Sequence, residues 1–272
     1  MPEGHVTHRL ADGLTAMFGG HAVRVSSPQG RFADEAALLD GGVLSRADAY
    51  GKHLFVDFGP DRIVHIHLGL IGKLWLIDGE PTSPAGPDTL RLRIARGPLS
   101  AELRGPQWCR LVTDEARDEV IAASGDDPIR DDSTGEKAWA KLTRSGRSIA
   151  SLLMDQSVTA GVGNIYRAEV LFRHRVNPFR EGRRISRCTW NAIWADLVVL
   201  MRAGVAEGRV DTVREAHLPE AMGREPRVDR HGGEVYVYRR AGQPCLVCGT
   251  AVRSQVLEGR NLYWCPRCQR RR

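Results

Sequence analysis

CLVCGTAVRSQVLEGRNLYWCPRC, residues 245–268, holds four of the six cysteines of this 272-residue chain. They form two close pairs, Cys245-x2-Cys248 and Cys265-x2-Cys268, with sixteen residues between the pairs. Four thiolates at that spacing match a tetrahedral zinc site, and the spacer fits a two-stranded ribbon. Two disulfides are the competing use. Glu3, His5, His8 and Arg9 interrupt the N-terminus before any apolar run, so no export signal is read and a cytoplasmic, reducing location is expected. Disulfides are disfavoured there. The zinc would be structural, because four cysteines leave no open position for a reacting ligand. Cys109 and Cys188 fall outside the pattern and read as core thiols.

Working back from the cysteines, the spacer turns at Glu258-Gly259-Arg260-Asn261. An arginine at a hairpin tip can enter a groove and hold two phosphate oxygens, or simply be solvated. The tail RCQRRR (267–272) adds positive charge. Charge is unevenly spread along the chain. Residues 236–272 carry +7 and residues 137–187 carry +8, whereas residues 114–136 carry −7, within a net charge of +6. Two basic blocks around an acidic one suggest two surfaces facing a polyanion and a linker pointing away. No apolar run approaches the roughly 20 residues of a membrane helix.

The apolar pattern divides the chain. Val6, Leu10, Leu14, Met17 and Phe18 recur at helical spacing, predicting a helix over 2–18. Residues 19–113 read mostly as strands: HLFVDF (53–58), IVHIHLGLIGKLWLI (63–77) and the alternating TLRLRIA (89–95). Gly59–Pro60 and GEPTSPAGP (79–87) break them apart. Strands without intervening helices predict an antiparallel sandwich. The domains expected are 1–114, an acidic linker over 115–135, a helical domain over 136–224, and a ribbon over 236–272.

Three further stretches carry candidate chemistry. In TAGVGN (159–164), between two helical patterns, the glycines allow close approach to a ligand, and Asn164 can cap the next helix beside a phosphate. An ordinary helix–turn–helix joint reads the same way. Lys52 of YGKH (50–53) lies at a turn before a strand, where a lysine commonly faces solvent. MPEGH (1–5) has two readings. Pro2 and Glu3 suit a first helical turn, Glu3 complementing the helix dipole. Alternatively, removal of Met1 leaves Pro2 with a secondary amine. N-terminal amines have a pKa of about 7.7–8.0, so a nucleophilic fraction exists near neutrality.

These pieces occur in one order: MPEG, GKH, GVGNIYRAEVLF (161–172), and the cysteine pairs around EGR. The ordered set resembles the formamidopyrimidine-DNA glycosylase and endonuclease VIII family, and MPEGH is most similar to actinobacterial members of the endonuclease VIII branch. The resemblance spans nearly the whole chain. It implies an α+β multidomain fold: an N-terminal helix with an antiparallel β-sandwich, a helix–two-turn–helix domain and a zinc ribbon, with DNA between the domains. It implies a bifunctional glycosylase and AP lyase of base-excision repair acting on damaged double-stranded DNA, as a monomer associated with the bacterial nucleoid. Pro2 would be the Schiff-base nucleophile and Glu3 the proton donor. Lys52 would assist proton transfer in β-elimination. Asn164 and Arg260 would clamp phosphates, Arg260 also serving δ-elimination. One Zn²⁺ would sit on Cys245, Cys248, Cys265 and Cys268, with no Mg²⁺ required.

Leu70 in HLGLIGK (67–73) would plug the gap left by a flipped base, or belong to the core. AELRGPQWCRL (101–111) lacks the Arg-x-Phe pattern of purine-specific relatives, which favours oxidised pyrimidines; Gln107 and Trp108 are the candidates to fill the helix there. An oxidised-purine enzyme and a non-catalytic binder of damaged DNA are the alternatives.

Overall fold

The computed structural model describes residues 2–79, 87–229 and 233–270. The chain divides into two compact units between Ala123 and Ser124.

The first unit begins with α1 (Gly4–Phe18), followed by β1 (His21–Ala22), β2 (Arg24–Ser26), α2 (Ala33–Leu39) and β3 (Val43–Leu44). Then come β4 (Arg46–Tyr50), β5 (His53–Asp57), β6 (Ile63–His67), β7 (Lys73–Asp78), β8 (Leu90–Arg96), β9 (Leu99–Arg104), β10 (Trp108–Val112) and α3 (Asp114–Ala123). Two four-stranded antiparallel sheets, in the orders β10-β6-β5-β4 and β2-β8-β9-β7, make the expected sandwich. The alternation of β5 and β6 turns Leu54, Val56, Val64 and Ile66 inward. They meet Val25, Leu92, Ile94, Ala101 and Leu103 of the second sheet, with Ala11, Leu14 and Phe18 of α1 joining the same core. Burying each of the larger side chains contributes roughly 1.5–3 kcal/mol. The segment expected as mostly strand also contains α2, whose ADEAALL sequence consists largely of good helix formers that follow a turn.

The second unit contains α4 (Glu136–Leu142), α5 (Ile149–Leu152), α6 (Asn164–Arg173), α7 (Arg187–Glu207), α8 (Pro219–Met222) and the hairpin β11 (Arg253–Leu257) with β12 (Arg260–Trp264). Its core surrounds α6, where Ile165, Tyr166, Val170 and Leu171 pack against Trp190, Ile193, Leu197 and Met201 of α7. Among the described residues no helix is long and apolar enough to cross a membrane.

The acidic stretch is not a plain connection. Its first part is α3, within the first unit. Asp126 and Asp127 are buried, and Asp126 Oδ2 accepts a hydrogen bond from the Ala138 amide in the first turn of α4. Negative charge there satisfies a helix N-terminus rather than facing away from the protein. Cys109 is buried as expected, and burial pushes its thiol up to about 12. Cys188 is exposed, against the core-thiol expectation, because it lies on the solvent side of α7. Most of GEPTSPAGP lies outside the described residues.

Candidate functional site

In the first unit, Pro2 precedes the helix, and Glu3 has the extended backbone (φ −107°, ψ 172°) of an N-cap position. Pro2 is thus not the first-turn proline that helix chemistry asks for. Glu3 is only 2% exposed. Its carbonyl accepts from the Val6 amide. Lys52 is half-buried in the two-residue turn joining β4 to β5, where Tyr50 pairs with His53. α1 is pinned to β4 by Thr15, whose Oγ1 donates to the Ala47 carbonyl (3.1 Å) and accepts from the Ala47 amide (2.8 Å).

Beside Lys52 is a group that motif reading missed. His53, Phe55, His65, His67 and Trp108 share the outer face of one sheet, since His53 registers with His67 and Phe55 with His65. His53 Nδ1 and His65 Nε2 are 2.9 Å apart, and Trp108 Nε1 donates toward His65 Nε2 (3.4 Å). His67 stacks on Trp108 with ring centroids 4.5 Å apart. Burial, then the neighbouring His67 and Lys52 charges, lowers His53 to about 4. Burial with the other imidazoles and Arg110 lowers His65 to about 3. Burial also lowers His5, to about 4. These rings are neutral at pH 7, so the positive charge beside them comes from Lys52 and Arg110. The sequence signal was present: in IVHIH, period two puts both histidines on one face.

Leu70 is 65% exposed and its neighbour Ile71 is 80% exposed, which removes the core reading for Leu70. Both lie on the turn between β6 and β7. That turn sits tightly on residues 105–107: a Cβ at Gly72 would meet Pro106 Cα at 2.9 Å, and one at Gly69 would meet Gln107 Cβ at 2.8 Å. Gln107 is exposed beside the turn, whereas Trp108 is committed to the histidine group.

In the second unit, Asn164 is the first residue of α6, and Gly163 occupies the N-cap position (φ −124°, ψ −162°). The capping role expected of Asn164 is therefore corrected. Its side chain spans two elements instead. Nδ2 donates to the Asn261 carbonyl of β12 (2.9 Å), and Oδ1 accepts from Arg167, a residue 1% exposed. An amide nitrogen carries two hydrogens, so a second N–H can serve a ligand. The hairpin turn is tighter than the sequence suggested. Leu257 pairs with Arg260, leaving Glu258 (φ 48°) and Gly259 (φ 75°) as the central residues. Two left-handed residues make the turn type that matches strand twist. Arg260 thus opens β12, half-buried, and Asn261 lies within the strand. Arg147 ties the turn down, bonding both Glu258 (3.3 Å) and Asp155 (2.7 Å).

Glu169 is the other residue the motifs passed over. It is fully buried in α6. Its two oxygens accept from the amides of Tyr236 (2.7 Å), Val237 (2.9 Å) and Tyr238 (2.8 Å) and from the Thr212 hydroxyl (2.6 Å). It thereby fixes the segment leading into the ribbon. A lone acid inside the apolar run IYRAEVLF was the available signal.

The sulfurs of Cys245, Cys248, Cys265 and Cys268 all lie within 4.8 Å of one another. The Cys245–Cys268 and Cys248–Cys265 separations are 3.9 and 3.5 Å. Tetrahedral Zn–S bonds of about 2.3 Å require sulfurs about 3.8 Å apart, so the set fits one zinc ion. Bound there, zinc would join the two cysteine turns of the ribbon.

Residues 1–104 match the formamidopyrimidine-DNA glycosylase N-terminal domain, residues 124–215 the formamidopyrimidine-DNA glycosylase H2TH domain, and residues 242–271 the zinc finger found in FPG and IleRS. The chain is 48% identical to endonuclease 8 1 of Mycobacterium tuberculosis, covering 99% of this chain and 100% of that protein. It is 33% identical to the formamidopyrimidine-DNA glycosylase of Aromatoleum aromaticum, over 100% of this chain and 99% of that protein. The MutM (Fpg) protein from Thermus thermophilus superimposes with a TM-score of 0.76 at 26% identity, over 98% of each chain. MutM in complex with carbocyclic 8-oxo-G containing DNA shares the fold, with a TM-score of 0.79 at 19% identity over 99% of this chain and 100% of that one.

Proposed function

The chain belongs to the formamidopyrimidine-DNA glycosylase and endonuclease VIII family, DNA glycosylases with AP lyase activity, and on that premise we propose that it removes oxidised pyrimidines from duplex DNA through an iminium intermediate on Pro2. The observation carrying the pyrimidine preference is the full-length 48% identity to an endonuclease 8. The open surface beside Leu70, occupied by Gln107 in place of an Arg-x-Phe pattern, supports it.

The chemistry follows from the residues. Once Met1 is removed, the Pro2 nitrogen attacks C1′ of the flipped nucleotide, and the damaged base leaves with the glycosidic electrons. Glu3 protonates the sugar ring oxygen as the ring opens, giving the iminium ion. That cation acidifies C2′; loss of a 2′ proton expels the 3′ phosphate, and a second elimination expels the 5′ phosphate. Lys52 serves proton transfer in the first elimination and Arg260 holds phosphate in the second.

The anchor of Thr15 on Ala47 supports a shared site. Measured from it, the helix back to Gly4 and the strand on to Lys52 each cover about 16 Å. If α1 runs antiparallel to β4 from that anchor, Glu3 and Lys52 come level, as a shared site requires. Leu70 and Ile71 enter the gap left by the flipped base, with Gln107 beside them. In the second unit, the second Asn164 amide N–H and Arg260 hold phosphates on the same duplex. The chain works as a monomer, and cleavage needs no Mg²⁺, so it proceeds in EDTA.

Borohydride trapping on duplexes containing thymine glycol, 8-oxoguanine or an abasic site tests this. A trapped species mapping to Pro2, with thymine glycol preferred, is expected. Preference for 8-oxoguanine would shift the assignment to oxidised purines. Binding without trapping on any substrate would leave a damaged-DNA-binding module.

A further inference from the structure

We infer that the second unit carries an oligophosphate site at the metal end of the ribbon, separate from the Asn164–Arg260 surface. A cavity of about 560 Å³ opens there, lined by Arg175, Arg180, Arg267 and Arg270 together with His174 and Thr189. No carboxylate lines it among the described residues; its remaining walls are Val176, Val247 and the metal-ligand thiols Cys248 and Cys268. Several other arginines of this unit pair with carboxylates, although among the described residues Arg144, Arg214, Arg240, Arg253 and Arg260 do not. Arg173 pairs with Asp196, Arg202 with Asp131, Arg224 with Glu234 and Arg227 with Asp229. The four cavity arginines have no carboxylate within 4.0 Å among the described residues. Four guanidinium charges on one concavity, offset only in part by the zinc-bound thiolates of Cys248 and Cys268, leave a positive surface suited to an anion of several charges.

The walls are fixed rather than adventitious. Arg175 and Arg180 stand on the loop after α6, Arg267 and Arg270 on the turn of the second cysteine pair. Two buried amides bolt these segments together. Asn177 Nδ2 donates to the Gln269 carbonyl (2.8 Å), and Gln269 Nε2 donates to the Val176 carbonyl (2.9 Å). Gln269 Oε1 accepts from the Cys265 amide (2.9 Å). Arg175 itself is held at φ +54°, a left-handed conformation that a β-carbon residue adopts only when its surroundings impose it.

The location separates this site from the DNA surface. α6 has Asn164 at its N-terminal end and the cavity at its C-terminal end, about 15 Å away for ten residues. β12 likewise starts at Arg260 and ends beside Cys265. Both elements therefore present opposite ends to the two sites. Guanidinium forks in this number suit two or three adjacent phosphates, each held by paired N–H donors. Such a run belongs to free condensed phosphate or a nucleoside triphosphate, and equally to the backbone of a DNA segment away from the lesion.

The test uses the full-length, zinc-loaded chain and sodium tripolyphosphate, followed by calorimetry and ³¹P line width. Saturable one-to-one binding is expected, weakening at least tenfold in the R175E/R267E double variant. That variant should keep its zinc content and its thermal midpoint, which shows that the loss is not one of folding. With the lesion surface filled by an abasic-analogue duplex, undiminished tripolyphosphate binding supports a free oligophosphate ligand. A second, undamaged duplex joining that complex, and lost in R175E/R267E, supports a DNA source. Absence of saturable binding, equal binding by the double variant, or one-for-one displacement by the first duplex overturns the separate site. Borohydride trapping is independent of all these outcomes, so failure here and failure of the lyase reading are distinguishable.

Discussion

In the N-terminal unit the outer face of the β10-β6-β5-β4 sheet carries imidazoles, kept neutral by burial beside a charged lysine. In the C-terminal unit a fully buried acid, Glu169, is enclosed by three amides and a hydroxyl, and arginines such as Arg173 are paired with carboxylates. The first arrangement places positive charge beside neutral groups, as the covalent chemistry proposed for Pro2 requires. The second suits a rigid grip, because each buried polar group fixes the position of another segment. The N-terminal unit takes its stability from a two-sheet apolar core. The C-terminal ribbon has only Val252, Leu262 and Trp264 buried along its hairpin among the apolar residues described, and four thiols complete it.

That contrast can be broken most forcefully by removing the metal. Stripping zinc with a thiol-reactive mercurial should unfold the ribbon, because structural zinc contributes on the order of 10 kcal/mol in small zinc modules. DNA affinity should collapse while the β-sandwich keeps its amide dispersion in NMR spectra; loss of both together would mean that the units do not fold separately. Next in size is Pro2→Gly, expected to remove most lesion turnover at nearly constant DNA affinity and to shrink the yield of trapped adduct. Glu3→Gln follows, lowering turnover by about 10²–10⁴-fold, again with affinity held. Equal losses of affinity and turnover would make these residues structural. Glu169→Ala leaves three amides without an acceptor, each costing about 1–3 kcal/mol, and should lower the urea midpoint of the C-terminal unit alone.

Acid separates the units with a smaller effect. The unfolded chain binds a proton at each histidine near pH 6.5, whereas His5 and His53 bind theirs at about 4 and His65 at about 3 in the fold. Their native arrangement is therefore fully favourable above about pH 6.5, and stability falls as pH drops from there toward 4. Asp196 behaves in a lower window. Burial opposes its ionisation, but His174 and Arg173 outweigh that and lower it to about 2. Its contribution is present above about 3.8 and lost as pH falls toward 2. Thermal melts of His65→Phe and Asp196→Asn against pH should each flatten one window and leave the other; a shared window would break the distinction. The smallest effect is expected from Arg147→Ala at the exposed ribbon turn, at most about 1 kcal/mol of stability.

The sequence by itself determined the cysteine set, since metal-ligand spacing is local and a hairpin closes it. It also determined the helix–sandwich–helix order, since period two and period 3.6 are visible in HLFVDF, TLRLRIA and the residues around Asn164. The ordered motifs were enough for the family. Pro2 and Glu3 were legible as candidates because they open the chain. Only the tertiary structure decided that Leu70 is exposed, that Asn164 bonds the ribbon instead of capping α6, and that Asp126 caps α4 instead of lying in a linker. The histidine face, the Glu169 enclosure and the arginine cavity were likewise invisible. Each joins residues far apart in the chain, and the direction of a polar side chain depends on which partner the fold delivers. Local periodicity reports where apolar groups go, because the hydrophobic effect needs no particular partner; hydrogen bonds and ion pairs need one, and sequence spacing does not name it.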